Sequence, residues 1–159
     1  MARGLRIIQG DQPGAVVRDA ITEILDARDL LCLATSTPTT GPHASTLYFA
    51  HDAFVVWFVS ESPTEHGRQA EANPRASAAV FLEPAAYAEG LRGVQLGGTI
   101  RVARPKEAGE GLAVYRARFP EYAPDQAPDV LYRFEVDAVT LLDEPRFGRR
   151  SVIRALVVR

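Results

Sequence analysis

The chain has 159 residues, 47% of them hydrophobic and 24% charged, which suits one domain with a sizeable core. Its formal net charge of -2 gives no global electrostatic case for binding nucleic acid or an acidic membrane surface. One cysteine excludes an internal disulfide and a thiolate zinc site, and the first residues form no long apolar segment of the kind found in signal peptides or membrane spans, so a cytoplasmic protein is expected.

Residues 1–12 are polar apart from Ile7-Ile8 and are expected to be loosely held. From Pro13 to Ala27 the apolar residues Val16, Val17, Ala20, Ile21, Ile24 and Leu25 recur at helical spacing, with Arg18, Asp19, Glu23 and Asp26 opposite them. Leu30 to Ser36 reads as a strand, and Cys32 within it reads as a buried, inert thiol. The run Pro38-Thr39-Thr40-Gly41-Pro42 is a turn, and His43 to Ala50 is a second strand. A tight connection at His51-Asp52 leads to a third strand, so these three are expected to form an antiparallel meander.

That third strand, Phe54-Val55-Val56-Trp57-Phe58-Val59, is apolar throughout, as expected for a strand covered on both faces. It runs into Ser60-Glu61-Ser62-Pro63-Thr64-Glu65-His66-Gly67-Arg68. Ser62 is placed as the N-cap of a helix over 63–73, Pro63 as its first residue and Glu65 as the far side of a capping box. Asn73-Pro74 ends that helix. A helix start with free N–H groups, the hydroxyls of Ser60, Ser62 and Thr64, and the bases His66 and Arg68 can receive an anion such as a phosphate. The same serines and threonine also suit plain capping, and Glu61 and Glu65 would repel an anion unless they faced away.

Beyond it, Arg75 to Glu83 is a fourth strand whose first half has unusually small side chains. Pro84 to Arg92 is a loop. Val94 to Ala103 alternates, with Gln95 on its polar face and Gly97-Gly98 marking a bulge or bend. A helix runs from Pro105 to about Phe119, residues 121–128 form a loop, and Val130 to Leu142 alternates again. Pro145 to Arg150 is a turn with a small basic cluster, and Ser151 to Val158 a last strand. Many short antiparallel strands with helices between them point to a single mostly β domain over 1–159, a closed or half-closed barrel with flanking helices.

Catalytic signatures are missing. His43, His51 and His66 show no metal spacing, and His43 and His51 read as surface polar residues. There is no nucleophile elbow, no Walker loop and no paired carboxylates, so no catalytic residue is assigned.

The order of elements resembles the pyridoxamine phosphate oxidase-like superfamily, the FMN-binding split barrels, from about residue 15 to residue 150. The resemblance is densest over Trp57 to Ser77 and includes the helix ending Asn73-Pro74-Arg75-Ala76-Ser77. Gly93-Val94-Gln95-Leu96-Gly97-Gly98, Arg118-Phe119-Pro120 and Phe147-Gly148-Arg149-Arg150 look like the YhbP-like branch. The resemblance implies a homodimer with FMN in a cleft between subunits, and an oxidoreductase of unknown substrate. It places Ser45, Thr46 and Leu47, within Ala44-Ser45-Thr46-Leu47, along the flavin ring and ribityl chain. Ser60 would touch the flavin; Ser62, Thr64 and His66 would lie around the phosphate, and Gln95 near the ring.

Where the oxidases carry a serine, an arginine and a lysine, this chain has Thr64, Glu65 and His66. That departure weakens the phosphate site or makes it depend on pH; a charged His66 against phosphate implies affinity that declines as pH rises through neutrality. Pyridoxamine phosphate oxidation itself is not expected: Tyr115 and Arg118 are one residue closer together than in the oxidases, Phe49 stands at the substrate lysine position, and no C-terminal Arg-x-His pair is present. Relatives in the superfamily use a deazaflavin or haem instead, and Arg68, Arg75 and Arg101 are the candidates for a deazaflavin's acidic tail. A non-enzymatic flavin carrier or sensor is the remaining alternative.

Overall fold

Alternation along each strand decides which side chains enter the core. The structure, a computed structural model, describes residues 3–52, 54–123 and 129–158. In β2 (Leu30–Thr37), Leu31, Leu33 and Thr35 are buried while Leu30, Cys32 and Ala34 are exposed. Cys32 is therefore not the buried thiol expected from its apolar neighbours: the period of two sends it to the outer face. β3 (Gly41–Tyr48) pairs with β2 in a hairpin and alternates in the same way.

Five further strands complete the main path: β6 (Arg75–Leu82), β7 (Arg92–Val102), β8 (Asp129–Asp143), β9 (Ile153–Val158) and β1 (Gly4–Gln9), in the spatial order β1-β9-β8-β7-β6-β2-β3. Every pairing is antiparallel. The N-terminal residues expected to be loose are thus tied down as far as they are described, since β1 lies along β9. β4 (Ala50–Asp52) and β5 (Val55–Glu61) leave this path. β5 pairs with β4 and with the first half of β8, not with β3. The expected three-stranded meander is therefore only a two-stranded hairpin: β5 pairs with the short β4 and a long-range partner, β8, instead of with β3.

β8 holds the sheet together because it serves three strands. One edge runs along β7 for its whole length; the other carries β5 over Asp129–Glu135 and β9 over Ala138–Leu141. The change of partner coincides with a bulge opposite Gly97-Gly98, where Asp137 is the extra residue. Glycine is required there, because a Cβ on Gly98 would run into the Glu135 carbonyl. Burial on β8 changes parity at the same point: Tyr132, Phe134 and Val136 are buried before it, Val139, Leu141 and Asp143 after it.

Helix α1 (Gly14–Asp26) lays Val17, Ala20, Ile21, Ile24 and Leu25 over the inner face of β6, β7 and β8. Its outer side is fastened by charge. The buried Asp143 receives two bonds from Arg92, at 3.1 and 3.2 Å, and Arg92 also reaches Glu23 of α1 at 2.6 Å. Helix α3 (Pro105–Arg118) covers the other side of β5, with Gly111 flat against the indole of the buried Trp57. Helix α2 (Glu65–Ala72) packs on β2 and β3, and the short α4 (Glu144–Phe147) replaces part of the turn expected at 145–150. Of the loop expected at 121–128, residues 124–128 lie outside the described residues.

Candidate functional site

Two strands face each other in the barrel without pairing. Among the described residues β3 has only β2 as a partner, and Phe58 to Glu61 of β5 pair only with β8. The barrel is therefore split between β3 and β5, and each strand presents an unpaired backbone edge at the seam. Helix α2 closes one end of it.

The helix begins two residues later than the sequence indicated. Thr64, not Ser62, is the N-cap: its backbone is extended, and its Oγ1 accepts from the Gly67 N–H at 3.2 Å. Ser62 and Pro63 belong to the exposed connection that precedes the helix. This register turns His66, Gly67, Gln69 and Ala70 inward. Gly67 allows the close approach of Tyr132, whose hydroxyl would lie 2.7 Å from a Cβ at this position.

His66 spans the seam. Its Nδ1 lies 3.1 Å from Ser45 Oγ on β3, and its Nε2 lies 3.0 Å from Ser60 Oγ on β5. The ring is 5% exposed and sits edge-on to Phe58 and Tyr132. Burial pushes its pKa below the usual histidine value, and the nearby His43 acts in the same direction. The imidazole is neutral, so one nitrogen donates and the other accepts. Ser60 has the Glu61 carbonyl as an outlet for its own proton, at 3.4 Å. The assignment that satisfies all three groups has Ser45 donating to Nδ1 and Nε2–H donating to Ser60. His66 is therefore not the positive charge that the sequence pattern offered to a phosphate.

Gln69 clamps the same region. It is 2% exposed; its Oε1 accepts from Thr35 at 2.7 Å, and its Nε2 donates to Thr40 Oγ1 at 2.8 Å and to the Gly41 carbonyl at 3.1 Å. Asn73 adds a bond from its Nδ2 to the Ser36 carbonyl at 2.9 Å. Together they fasten α2 to the β2–β3 hairpin and set the distance from Ser45 to His66. Sequence reasoning missed Gln69. Its one signal was its place three residues after His66, a polar residue on the face of α2 that turns inward.

The eight expected ligand residues divide into two groups. Ser45, Ser60, Thr64 and His66 meet at the seam, and Leu47 follows Ser45 along the inner side of β3, packed on the core. Ser62 is exposed nearby. Thr46 and Gln95 point the other way, onto the outer face of the sheet. Gln95 is three strands from β3, about 14 Å at the usual interstrand spacing, and lines the outer face rather than the free edge of β3.

The outer face is open and built from small side chains. Across β2, β6, β7 and β8 the residues Cys32, Ala34, Ser77, Ala79, Gly97 and Ala138 line a trough of about 430 Å³. A second hollow of about 410 Å³ continues it toward β3, past Thr46 and the exposed Leu30 and Phe81. Tyr48, also exposed, stands at the end of β3.

Charge at the helix start is unfavourable for an anion. Glu65 opens α2, and its carboxyl is held below the usual value chiefly by Arg68, which donates to it at 2.8 Å. Glu61 ends β5 opposite Asp129 of β8. Arg75 and Arg101 are engaged as well, by Asp137 at 2.5 Å and Glu107 at 2.7 Å. His51, expected on the surface, is half-buried against Asp26 at 2.9 Å, and burial lowers its pKa. Arg118 reaches the carbonyls of Leu25, Asp26 and Arg28 at the end of α1, a structural role.

A flavin can be tested against these parts. The unpaired edge of β3 fits a flat ring with hydrogen-bonding edges. The phosphate end fits poorly: Ser45 donates to His66, burial disfavours a charge on His66, and Arg68 is paired with Glu65. What is left is the Ser62 hydroxyl, the Thr64 O–H and the N–H groups of α2 ahead of Gly67, which have no acceptor within the helix.

Residues 17–143 match the family described as Pyridoxamine 5'-phosphate oxidase. Among solved structures, a heme binding protein from Mycobacterium smegmatis superposes with a TM-score of 0.72 at 20% identity, over 92% of this chain and 59% of that one. An FAD-binding protein from Mesorhizobium loti gives 0.61 at 18%, over 95% and 97%. The General Stress Protein 26 from Bacillus anthracis gives 0.62 at 15%, over 79% and 93%. This chain thus spans about three fifths of the length of the mycobacterial protein. No curated protein matches the sequence.

Proposed function

The chain belongs to the pyridoxamine 5'-phosphate oxidase family, and on that premise we propose that it is a flavin-binding oxidoreductase that acts as a homodimer. FMN is the flavin that the sequence resemblance names. The observation that carries this reading is the unpaired edge of β3 along the seam, beside an outer sheet face left open by small side chains. Backbone groups near Ser45, Thr46 and Leu47 on that edge would hold the polar rim of the isoalloxazine ring.

The dimer explains two things at once. A second copy covers the small-residue trough and the exposed Leu30, Tyr48 and Phe81, which would otherwise leave apolar surface in water. It also brings its own Gln95 to the ring, whereas the Gln95 of the same protomer lines the outer face. A bound flavin supplies the hydride chemistry. The protein's part is to hold the ring edge with fixed backbone dipoles and to exclude water on the buried side, where Phe58 and Tyr132 stack at 5.0 Å. Ser45, on the strand that forms the unpaired edge, is held in one orientation by His66.

Arg68, Arg75 and Arg101, the candidates for a deazaflavin tail, are each paired with a carboxylate, which favours a flavin over a deazaflavin. The test is direct. The purified protein is loaded with flavin, desalted, and examined by absorption spectroscopy and light scattering. Retained flavin on a dimer, reduced by NADPH or NADH in stopped flow, is the expected result. Retained flavin that neither nicotinamide reduces favours a carrier or sensor. A Soret band after loading with haem, with no flavin retained, transfers the cleft to haem.

A further inference from the structure

Resting on that flavin reading, we infer that this chain selects a flavin whose ribityl chain ends in a hydroxyl over one that ends in a phosphate. The tail of a flavin lying along β3 runs toward the start of α2. A phosphate would need uncommitted donors and a net positive surrounding there. The structure offers the opposite in charge, and it holds the Ser45 hydroxyl within the protein.

Part of the polar chemistry at this end already serves the protein. Thr64 Oγ1 caps its own helix, and Ser45 and Ser60 are joined through His66 into a single chain that ends at the Glu61 carbonyl. Turning the Ser45 hydroxyl toward a phosphate would leave Nδ1 of a nearly buried imidazole without its donor. A ribityl hydroxyl makes no such demand. It both donates and accepts, so it can join the existing chain at Ser45 or Ser60 or meet the Ser62 hydroxyl.

The field has the wrong sign for a dianion. Glu65 occupies the first position of α2, where it already answers the positive end of the helix dipole. Arg68 is closed on Glu65, and Gln69 donates to the other oxygen of the same carboxylate at 3.2 Å. Glu61 and Asp129, opposite one another on β5 and β8, flank the connection into the helix, and Glu71 stands further along α2. His43 lies within electrostatic reach of both Glu65 and His66. On α2 itself Glu65 and Glu71 stand against Arg68 as the one permanent cation, and Glu61 and Asp129 add to the negative side. A neutral tail meets no repulsion here, whereas a phosphate meets it on approach.

The experiment is a fluorescence titration of the full chain with riboflavin and with FMN at pH 8, where histidine ordinarily carries no charge. Riboflavin is expected to bind with a lower Kd than FMN; an equal or lower Kd for FMN overturns the inference while leaving the flavin reading intact. If neither flavin binds, both fall. Salt gives an independent readout. Screening should strengthen FMN binding as sodium chloride is raised and leave riboflavin unchanged; weaker FMN binding in salt would mean that the site attracts the phosphate. In Glu65→Arg, checked for folding by circular dichroism, FMN affinity should rise at least about tenfold with riboflavin affinity unaltered, a change of about 1.4 kcal/mol. An unchanged ratio of the two Kd values in this variant removes Glu65 as the discriminating residue and overturns the inference.

Discussion

Replacing Gln69 by leucine keeps the side-chain volume roughly constant and removes the amide that fastens α2 to the β2–β3 hairpin. Gln69 is 2% exposed and Thr35, which donates to it, is 3% exposed, so water cannot take over their bond. A buried hydroxyl left without its partner costs about 1–3 kcal/mol, and each lost bond to Thr40 and Gly41 about 0.5–1.5 kcal/mol net. Leucine recovers part of this through apolar burial. The expected loss is about 2–4 kcal/mol, a fall in Tm of roughly 5–15 °C for a chain of this size. Urea denaturation of the wild type, Gln69→Leu, Thr35→Val and the double variant measures it. The double variant should be more stable than the two single losses predict, by about 1 kcal/mol, because Thr35→Val removes the orphaned hydroxyl. A loss below about 1 kcal/mol for Gln69→Leu, or strict additivity, would show that the clamp is not what holds the two sides of the seam in place.

His66 and His51 both have pKa values lowered by burial, so the unfolded chain takes up protons before the folded one does as pH falls through the ordinary histidine value of about 6.5. Their contribution to stability is thus complete above that value and declines below it; the urea midpoint should fall between pH 7.5 and pH 5.5, with a shallower fall in His66→Gln and the remainder due to His51. An identical slope in the variant would contradict a buried neutral His66. Asp143→Ala removes the buried partner of Arg92 and should cost about 3–5 kcal/mol by chemical denaturation, with Asp143→Asn in between. Gly98→Ala drives a methyl into the Glu135 carbonyl, a backbone atom that cannot turn aside, and should destabilise by about 3 kcal/mol; a stability equal to wild type would mean that the bulge on β8 relaxes freely.

Much of the fold was legible in the chain itself. The helical spacing in 13–27, the two alternating hairpin strands, the glycine pair at the bulge and the proline-bounded third helix all follow from local periodicity and backbone chemistry, and each is present within a residue or two. The mistakes share one cause. Cys32 was placed inside because its neighbours are apolar, although strand alternation turns it outward. Residues near the N-terminus looked loose because their partner, β9, lies at the far end of the sequence. His66 looked like a cation because a one-dimensional pattern carries no dielectric; only its burial between Ser45 and Ser60 makes it neutral.

By itself the sequence determined most of the elements, the family, and the hydroxyl-rich passage from strand to helix, since these depend on residues close together in the chain. Only the tertiary structure decided that β5 joins β8 rather than β3, which leaves the seam open. It alone separated Gln95 from the other expected ligand residues and joined Ser45 and Ser60 through His66. Pairing between distant strands and the burial of a particular polar group are properties of the assembled chain, where satisfied hydrogen bonds and excluded water outweigh what any short stretch prefers on its own.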